Sequence, residues 1–174
     1  MKIEVAEATR KDEPMLERLF QLYQYDFSEI MGGDVQDDGV FRYISLGDVW
    51  DDDRAHVFSM RVEGLVAGVA IVIERSHFTG DSNVAYMDEF FVMRKYRRMG
   101  VGSEFATRLF EMFPGRWEVA EVAPNTEATL FWRAVIGKYT DSNFNERVEA
   151  SDKWNGPVQT FDAARCRRST SKSE

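Results

Sequence analysis

The sequence predicts an α/β fold in one domain, a sheet with helices packed on it, and three observations carry the prediction. Met87 to Phe105, reading MDEFFVMRKYRRMGVGSEF, starts as an apolar run rich in aromatic and β-branched residues and passes through a basic turn to Gly100 and Gly102. It then takes up helical spacing at Val101, Phe105, Leu109 and Met112, which reads as strand, glycine turn and helix. Residues 55 to 63 and 65 to 73 are two strand-like runs joined at Glu63-Gly64, a hairpin. Apolar residues recur at helical spacing at Leu16, Leu19, Phe20, Tyr23 and Phe27, and again at Ala128, Phe131, Trp132 and Val135.

In chain order, residues 2 to 8 alternate apolar and polar, as a half-buried first strand does. Thr9 can cap a helix and Pro14 suits a helix start, so a helix is expected up to about Met31, where Gly32-Gly33 stops it. Asp51-Asp52-Asp53 reads as a turn ahead of the hairpin. After the hairpin, a polar loop from Thr79 to Asn83 leads to the central strand, 84 to 93, and the helix 101 to 113 ends at Pro114-Gly115. Arg116 to Val122 alternates apolar and acidic, a further strand. A helix over 125 to 136 comes next, with Asn125 at its cap and Gly137 at its end. Lys138 to Val148 and Trp154 to Phe161 read as two closing strands, joined by Asn155-Gly156 or a loop just before it. The domain is expected to span 1–164, with the polar stretch 165–174 fraying beyond it.

Composition narrows the function classes. The chain has 174 residues, long enough for a sizeable core, and 44% hydrophobic with 13% aromatic residues excludes chain-wide disorder. The single Cys166 cannot form an internal disulfide, which fits a reducing cytosol. No run approaches the roughly 18 apolar residues of a membrane span, and the N-terminus lacks a signal-peptide core, so a soluble cytoplasmic protein without membrane partners is expected. A net charge of −8 argues against nucleic acid as a partner and suits a cationic one. His56 and His77, the only imidazoles, come with no nucleophile and no ligand spacing, so no metal is expected.

A glycine turn that opens a helix leaves several N–H groups unpaired and pointing one way, with the positive end of the helix dipole behind them, which favours a phosphate. Two familiar cradles do not match. Phe105 stands where a dinucleotide-binding fingerprint needs glycine or alanine, and Gly102-Ser103-Glu104 replaces the Gly-Lys-Ser/Thr of a P-loop. Arg97-Arg98-Met99-Gly100-Val101-Gly102 instead resembles the Gln/Arg-x-x-Gly-x-Gly/Ala signature of the GNAT superfamily of acyl-CoA-dependent N-acyltransferases. Asn125-Thr126-Glu127-Ala128-Thr129-Leu130-Phe131-Trp132 resembles that family's second block, and Phe-Phe-Val-Met with Gly-x-Gly-Ser-Glu is similar to spermidine/spermine N-acetyltransferases.

The resemblance implies a three-layer α+β arrangement with a mixed, mostly antiparallel sheet and helices on both faces. It implies acetyl-CoA as co-substrate: Arg97, Arg98, Met99, Gly100, Val101, Gly102 and Ser103 would hold its pyrophosphate. Backbone groups of Phe90, Phe91 and Val92 would pair with the pantetheine arm, and Asn125, Phe131 and Trp132 would lie near the thiol. The first helix would form much of the acceptor site. The candidates there, Tyr23, Asp26, Phe27 and Glu29, read either as a wall for a cationic amine or as a solvated acidic stretch beside core aromatics, as do Asp34, Asp37, Asp38, Phe41 and Tyr43 beyond them.

Acetyl transfer to an amine needs a neutral amine, a polarised carbonyl, close approach and a proton for the leaving thiolate. Asp88 and Glu89 are the candidate bases. Successive strand residues face opposite ways, so strand alternation admits only one of them to the acceptor side, and the family register favours Asp88. Where many relatives carry an acidic tyrosine, this chain has Trp132, whose indole is no useful acid. Either Tyr139 replaces it or the thiolate leaves without a side-chain acid. The expected activity is acetyl transfer to a primary amine of a small cationic molecule; the alternatives are an acyl-CoA-binding module with little turnover and an acetyltransferase of protein N-termini or lysines. A homodimer is compatible with the sequence, since the closing strand pair could complete the sheet or exchange with a partner.

Overall fold

The computed structural model describes residues 1–42, 46–152 and 154–164. Tyr43, Cys166 and the polar tail lie outside the described residues. The chain order is β1 (Ile3–Glu7), a short 3₁₀ turn (Arg10–Asp12), α1 (Glu13–Met31), α2 (Leu46–Asp51), β2 (Ala55–Val62), β3 (Leu65–Ile73), β4 (Val84–Val92), a second 3₁₀ turn (Arg94–Tyr96), α3 (Val101–Met112), β5 (Arg116–Ala120), α4 (Thr126–Tyr139), β6 (Asn145–Ser151) and β7 (Trp154–Asp162). The strands form one seven-stranded sheet in the order β1-β2-β3-β4-β5-β7-β6, antiparallel throughout except for β4 against β5.

The sheet is covered on both faces because its strands bury both. β3 reads LVAGVAIVI with six consecutive buried positions, the pattern of a central strand rather than an amphipathic one. On one face α1 brings Leu16, Leu19 and Phe20 down onto Val57, Val69, Ile71 and Phe91. On the other, Val101, Phe105 and Leu109 of α3 and Trp132, Val135 and Ile136 of α4 pack over Phe58, Met87, Trp117 and Phe161. The mixed, mostly antiparallel three-layer arrangement is as expected.

Several boundaries differ from the sequence reading. Helix α2 is not expected from sequence, since six residues with one buried apolar position carry no periodic signal. Gly137 lies inside α4 rather than ending it: its missing side chain faces Phe144, and the helix continues to Tyr139. The strand expected from Lys138 therefore begins only at Asn145. Asn155 and Gly156 are within β7, so of the two placements read from sequence for the last connection the one just before Asn155-Gly156 is found. At Gly156 the φ of 155° and the overlap that a Cβ there would make with the Glu121 carbonyl oxygen make glycine necessary, because β7 meets the end of β5 at this point. Among the described residues no helix is long and apolar enough to cross a membrane.

Two features position the site. β4 and β5 pair only from Val84 to Met87 and from Arg116 to Val119, so Asp88 to Val92 continue without a strand partner on that side among the described residues. On its other side β4 is bulged: Met87 pairs with Val72 and Glu89 with Ile71, leaving Asp88 without an opposite residue. The bulge breaks the strict alternation assumed from the sequence, so one of two facing positions cannot be chosen by counting residues.

Candidate active site

A cleft of about 840 Å³ opens where β4 leaves β5. One wall is the glycine turn and the first turns of α3 and α4; the other is the C-terminal half of α1; Phe90, Phe91 and Val92 form the floor. Of the residues singled out from sequence, Tyr23, Asp26, Phe27, Glu29, Phe90, Phe91, Val92, Arg97, Arg98, Gly100, Gly102, Ser103, Asn125, Phe131 and Trp132 all line it. Met99 is exposed and Val101 is fully buried in the core, and neither side chain lines the cleft. A smaller groove of about 400 Å³ lies at the other end of β4 and β5, between Val84, Arg116, Glu118, Asn143 and Asp162.

The glycine turn is built by its backbone. Arg98 (φ 61°) and Gly100 (φ 79°) are left-handed, which wraps the chain tightly into α3. The first backbone bond of the helix runs from Glu104 N–H to Gly100 C=O, 3.0 Å. The amides of Val101, Gly102 and Ser103 precede any intrahelical acceptor and stand at the positive end of the helix. Gly102 has a second reason to be glycine: a Cβ would come within 3.3 Å of the Phe131 ring and 3.5 Å of Val92 Cγ2, so its bareness also lets α4 pack against the turn. Asn125 caps α4, its Oδ1 accepting from Ala128 N–H at 3.2 Å.

Below the turn, aromatic rings fill the space between β4 and the helices. Phe90 sits 4.8 Å from Trp132 and 5.8 Å from Phe131, centroid to centroid, and Trp132 reaches on towards Phe110. Tyr139 is two turns along α4, packed on Phe110 at 5.3 Å and Phe161 at 6.3 Å, and does not line the cleft.

The charged side of the cleft is arranged differently from the expectation. Asp26, 16% exposed, accepts from Arg94 Nε at 2.8 Å and from Arg97 Nη2, so it is already neutralised by two arginines. Arg97 also donates from Nε to the Val92 carbonyl at 2.7 Å and lies over the Phe91 ring. Asp26 thus ties α1 to the strand end and glycine turn instead of standing free for an amine. Arg94 carries no sequence signal, because its partner is 68 residues away. Glu127 also lines the cleft, with Arg98 at 3.6 Å from it.

Glu89 is 9% exposed on β4. Burial pushes Glu89 up to about 8, opposed by the polar Tyr23 side chain and reinforced by the like charge of Asp88. Asp88 is raised as well, by burial, with the His77 imidazole opposing. Neither carboxylate lines the cleft directly. Tyr23 does, held by rings at 5.4 Å (Phe91), 5.6 Å (Phe27) and 6.3 Å (Phe20).

The cleft thus lies at a splayed parallel strand pair, walled by a glycine turn and an Asn-capped helix. The model of the acetyltransferase (GNAT) family matches residues 15–137, and the chain belongs to that family. Its fold is shared with an acetyltransferase from Thermus thermophilus, at TM-score 0.65 and 17% identity over 93% of this chain and 97% of that one. It is shared with spermidine N-acetyltransferase from Vibrio cholerae, solved with CoA and spermine, at TM-score 0.65 and 11% identity over 94% and 97%. An aminoglycoside acetyltransferase from an uncultured soil sample, solved with sisomicin, matches at TM-score 0.54 and 20% identity over 76% and 86%. At these identities the likeness establishes the fold. No curated protein matches the sequence.

The family's co-substrate is acetyl-CoA, and the residues present suit it: unpaired amides at the glycine turn for phosphate, an unpaired strand edge for an amide-bearing arm, and a cleft continuous between them. Among the described residues no cluster of three or more His, Cys, Asp or Glu side chains is placed to hold a metal ion.

Proposed function

We propose that the enzyme transfers the acetyl group of acetyl-CoA to a primary amine of a small cationic molecule by direct attack. The observation that carries this reading is the single cleft in which the glycine turn, the unpaired end of β4 and the aromatic and acidic face of α1 meet. The amides of Val101, Gly102 and Ser103, with Arg98, hold the pyrophosphate, and the free edge of Phe90 to Val92 holds the pantetheine arm. Acetyl-CoA supplies the activated acyl group as a thioester. Tyr23 and Phe27 present ring faces to the acceptor, and Glu29 its charge, while Asp26 serves the arginines instead.

Glu89 is the base in this reading and Asp88 its charged neighbour. A carboxyl raised to about 8 takes a proton from an ammonium far more readily than an ordinary carboxylate does. With Trp132 at the cleft and Tyr139 in the core, the thiolate leaves without a side-chain acid, and positioning supplies the rate.

The test is thiol release from acetyl-CoA in the presence of pooled polyamines, aminoglycosides, amino acids or lysine-bearing peptides. Release with a small cationic pool is the expected result. Release only with peptides would move the acceptor to protein, and cofactor binding without release from any pool would replace the enzyme reading with an acyl-CoA-binding module.

A further inference from the structure

β6 ends the sheet. It pairs with β7 over its whole length, from Asn145 opposite Thr160 to Ser151 opposite Trp154, and among the described residues no strand lies beyond it. The direction of its backbone groups follows from β7. Glu121 and Ala123 donate their N–H groups to the carbonyls of Pro157 and Asn155, at 3.2 and 2.9 Å, so those two residues of β7 point towards the β5 side. Backbone groups alternate along a strand, so Trp154, Gly156 and Val158 point towards β6, where they face Ser151, Glu149 and Arg147. The residues in between, Glu146, Val148 and Ala150, therefore carry their N–H and C=O groups on the open edge.

Strand edges are ordinarily blunted by proline, by bulges or by charges that repel a second strand. β6 has no proline and pairs with β7 without a bulge, and its charges complement one another instead. Arg147 and Glu149 share one face of the strand, 3.7 Å apart, and Val148, 74% exposed, lies between them on the other. We propose that β6 is a homodimer interface, at which a second copy of this chain adds its own β6 antiparallel across a two-fold axis through Val148.

In that register Val148 faces its own copy and Glu146 faces Ala150, so every outward N–H and C=O group of the strand finds a partner and the exposed valine is covered. Arg147 of each chain faces Glu149 of the other. Antiparallel registers centred on Arg147 or Glu149 instead set like charges opposite each other, as does one centred on Glu146. Centring on Ala150 leaves only Glu149 to Ser151 paired. The register that the charges select is thus also the one in which all seven residues of β6 are paired. It joins the two seven-stranded sheets into one continuous sheet, and none of these residues lines the cleft.

The experiment is sedimentation velocity of the full chain across a micromolar concentration series, and wild type is expected to dimerise. Arg147→Glu and Glu149→Arg each bring like charges together and should raise the dimer dissociation constant about 10-fold or more. Mixed with each other, the two variants should associate about as tightly as wild type, because each reversed strand then faces the opposite charge. Val148→Pro removes an outward N–H without touching the β7 ladder, so it should give a monomer that melts cooperatively and keeps its acetyl-CoA affinity. Hydrogen exchange at the Glu146, Val148 and Ala150 amides should be slow in the dimer and fast in the charge-reversed monomers. A wild type that stays monomeric, or a dimer that neither reversal weakens, overturns the interface. So does a chain that is monomeric until residues 165–174 are removed, since the edge then belongs to its own tail. Reversals that weaken the dimer but do not recover on mixing overturn the axis at Val148.

Discussion

The α3–α4 wall of the cleft and the α1 wall are made of different material. The first is backbone: left-handed turns at Arg98 and Gly100, unpaired amides at the head of α3, and a bare Gly102 against Phe131. The second is side chain: Tyr23 packed on Phe27 and Phe91, and Asp26 clasped by Arg94 and Arg97 across gaps of 68 and 71 residues. A backbone site tolerates changes of side chain that keep its dihedral angles and its space. A side-chain site depends on long-range pairs, so conservative changes can redirect it.

The sharpest break of this contrast is at Gly102. Gly102→Glu places a carboxylate among the phosphate-facing amides and a Cβ against Phe131. Calorimetric titration should then show acetyl-CoA affinity lowered about 100-fold or more, with melting still cooperative. Affinity within a few-fold of wild type would remove the cradle from the account.

Next in size is Asp26→Asn, which leaves Arg94 and Arg97 without their counter-charge. Steady-state kinetics should show a KM for acetyl-CoA altered about fivefold, the scale of a modest ion-pair interaction, and a KM for amine unchanged. An altered amine KM alone would return Asp26 to the acceptor wall.

Smallest is a pH effect outside the cleft. Glu121, 4% exposed, accepts from Gln159 at 3.1 Å and is raised to about 7, chiefly by burial. Its folded value lies above its unfolded one, so the folded state favours the protonated form. Stability linked to it is full below about pH 4.5 and declines as pH rises through about 7. Glu121→Gln should therefore raise the melting temperature by a few degrees at pH 8 and much less at pH 5, roughly as a change of 1 kcal/mol does. Equal shifts at both pH values would contradict the linkage.

How much is legible in the sequence divides along the same line. The glycine turn, the β2–β3 hairpin and the Asn125 cap are local, each set by a few adjacent residues, and the structure has them where the sequence reading puts them. The bulge at Asp88 is not legible, because it arises from how β4 meets β3, and with it goes the argument from alternation about Asp88 and Glu89. Asp26 reads as free charge for the same reason: nothing near it in sequence names Arg94 or Arg97. Gly137 misleads as a helix end because α4 runs through it to Tyr139. The contacts of Gln159, inside β7, with Glu121 just past β5 and Glu146 on β6 leave no periodic trace.

The most direct test of where the co-substrate sits is the amide NMR spectrum titrated with CoA. The account predicts that the largest shifts fall on Val101, Gly102 and Ser103 and on Phe90 and Phe91, with smaller ones along α1 near Asp26. Shifts centred on the Arg116–Asp162 groove, or none at millimolar CoA, would contradict it.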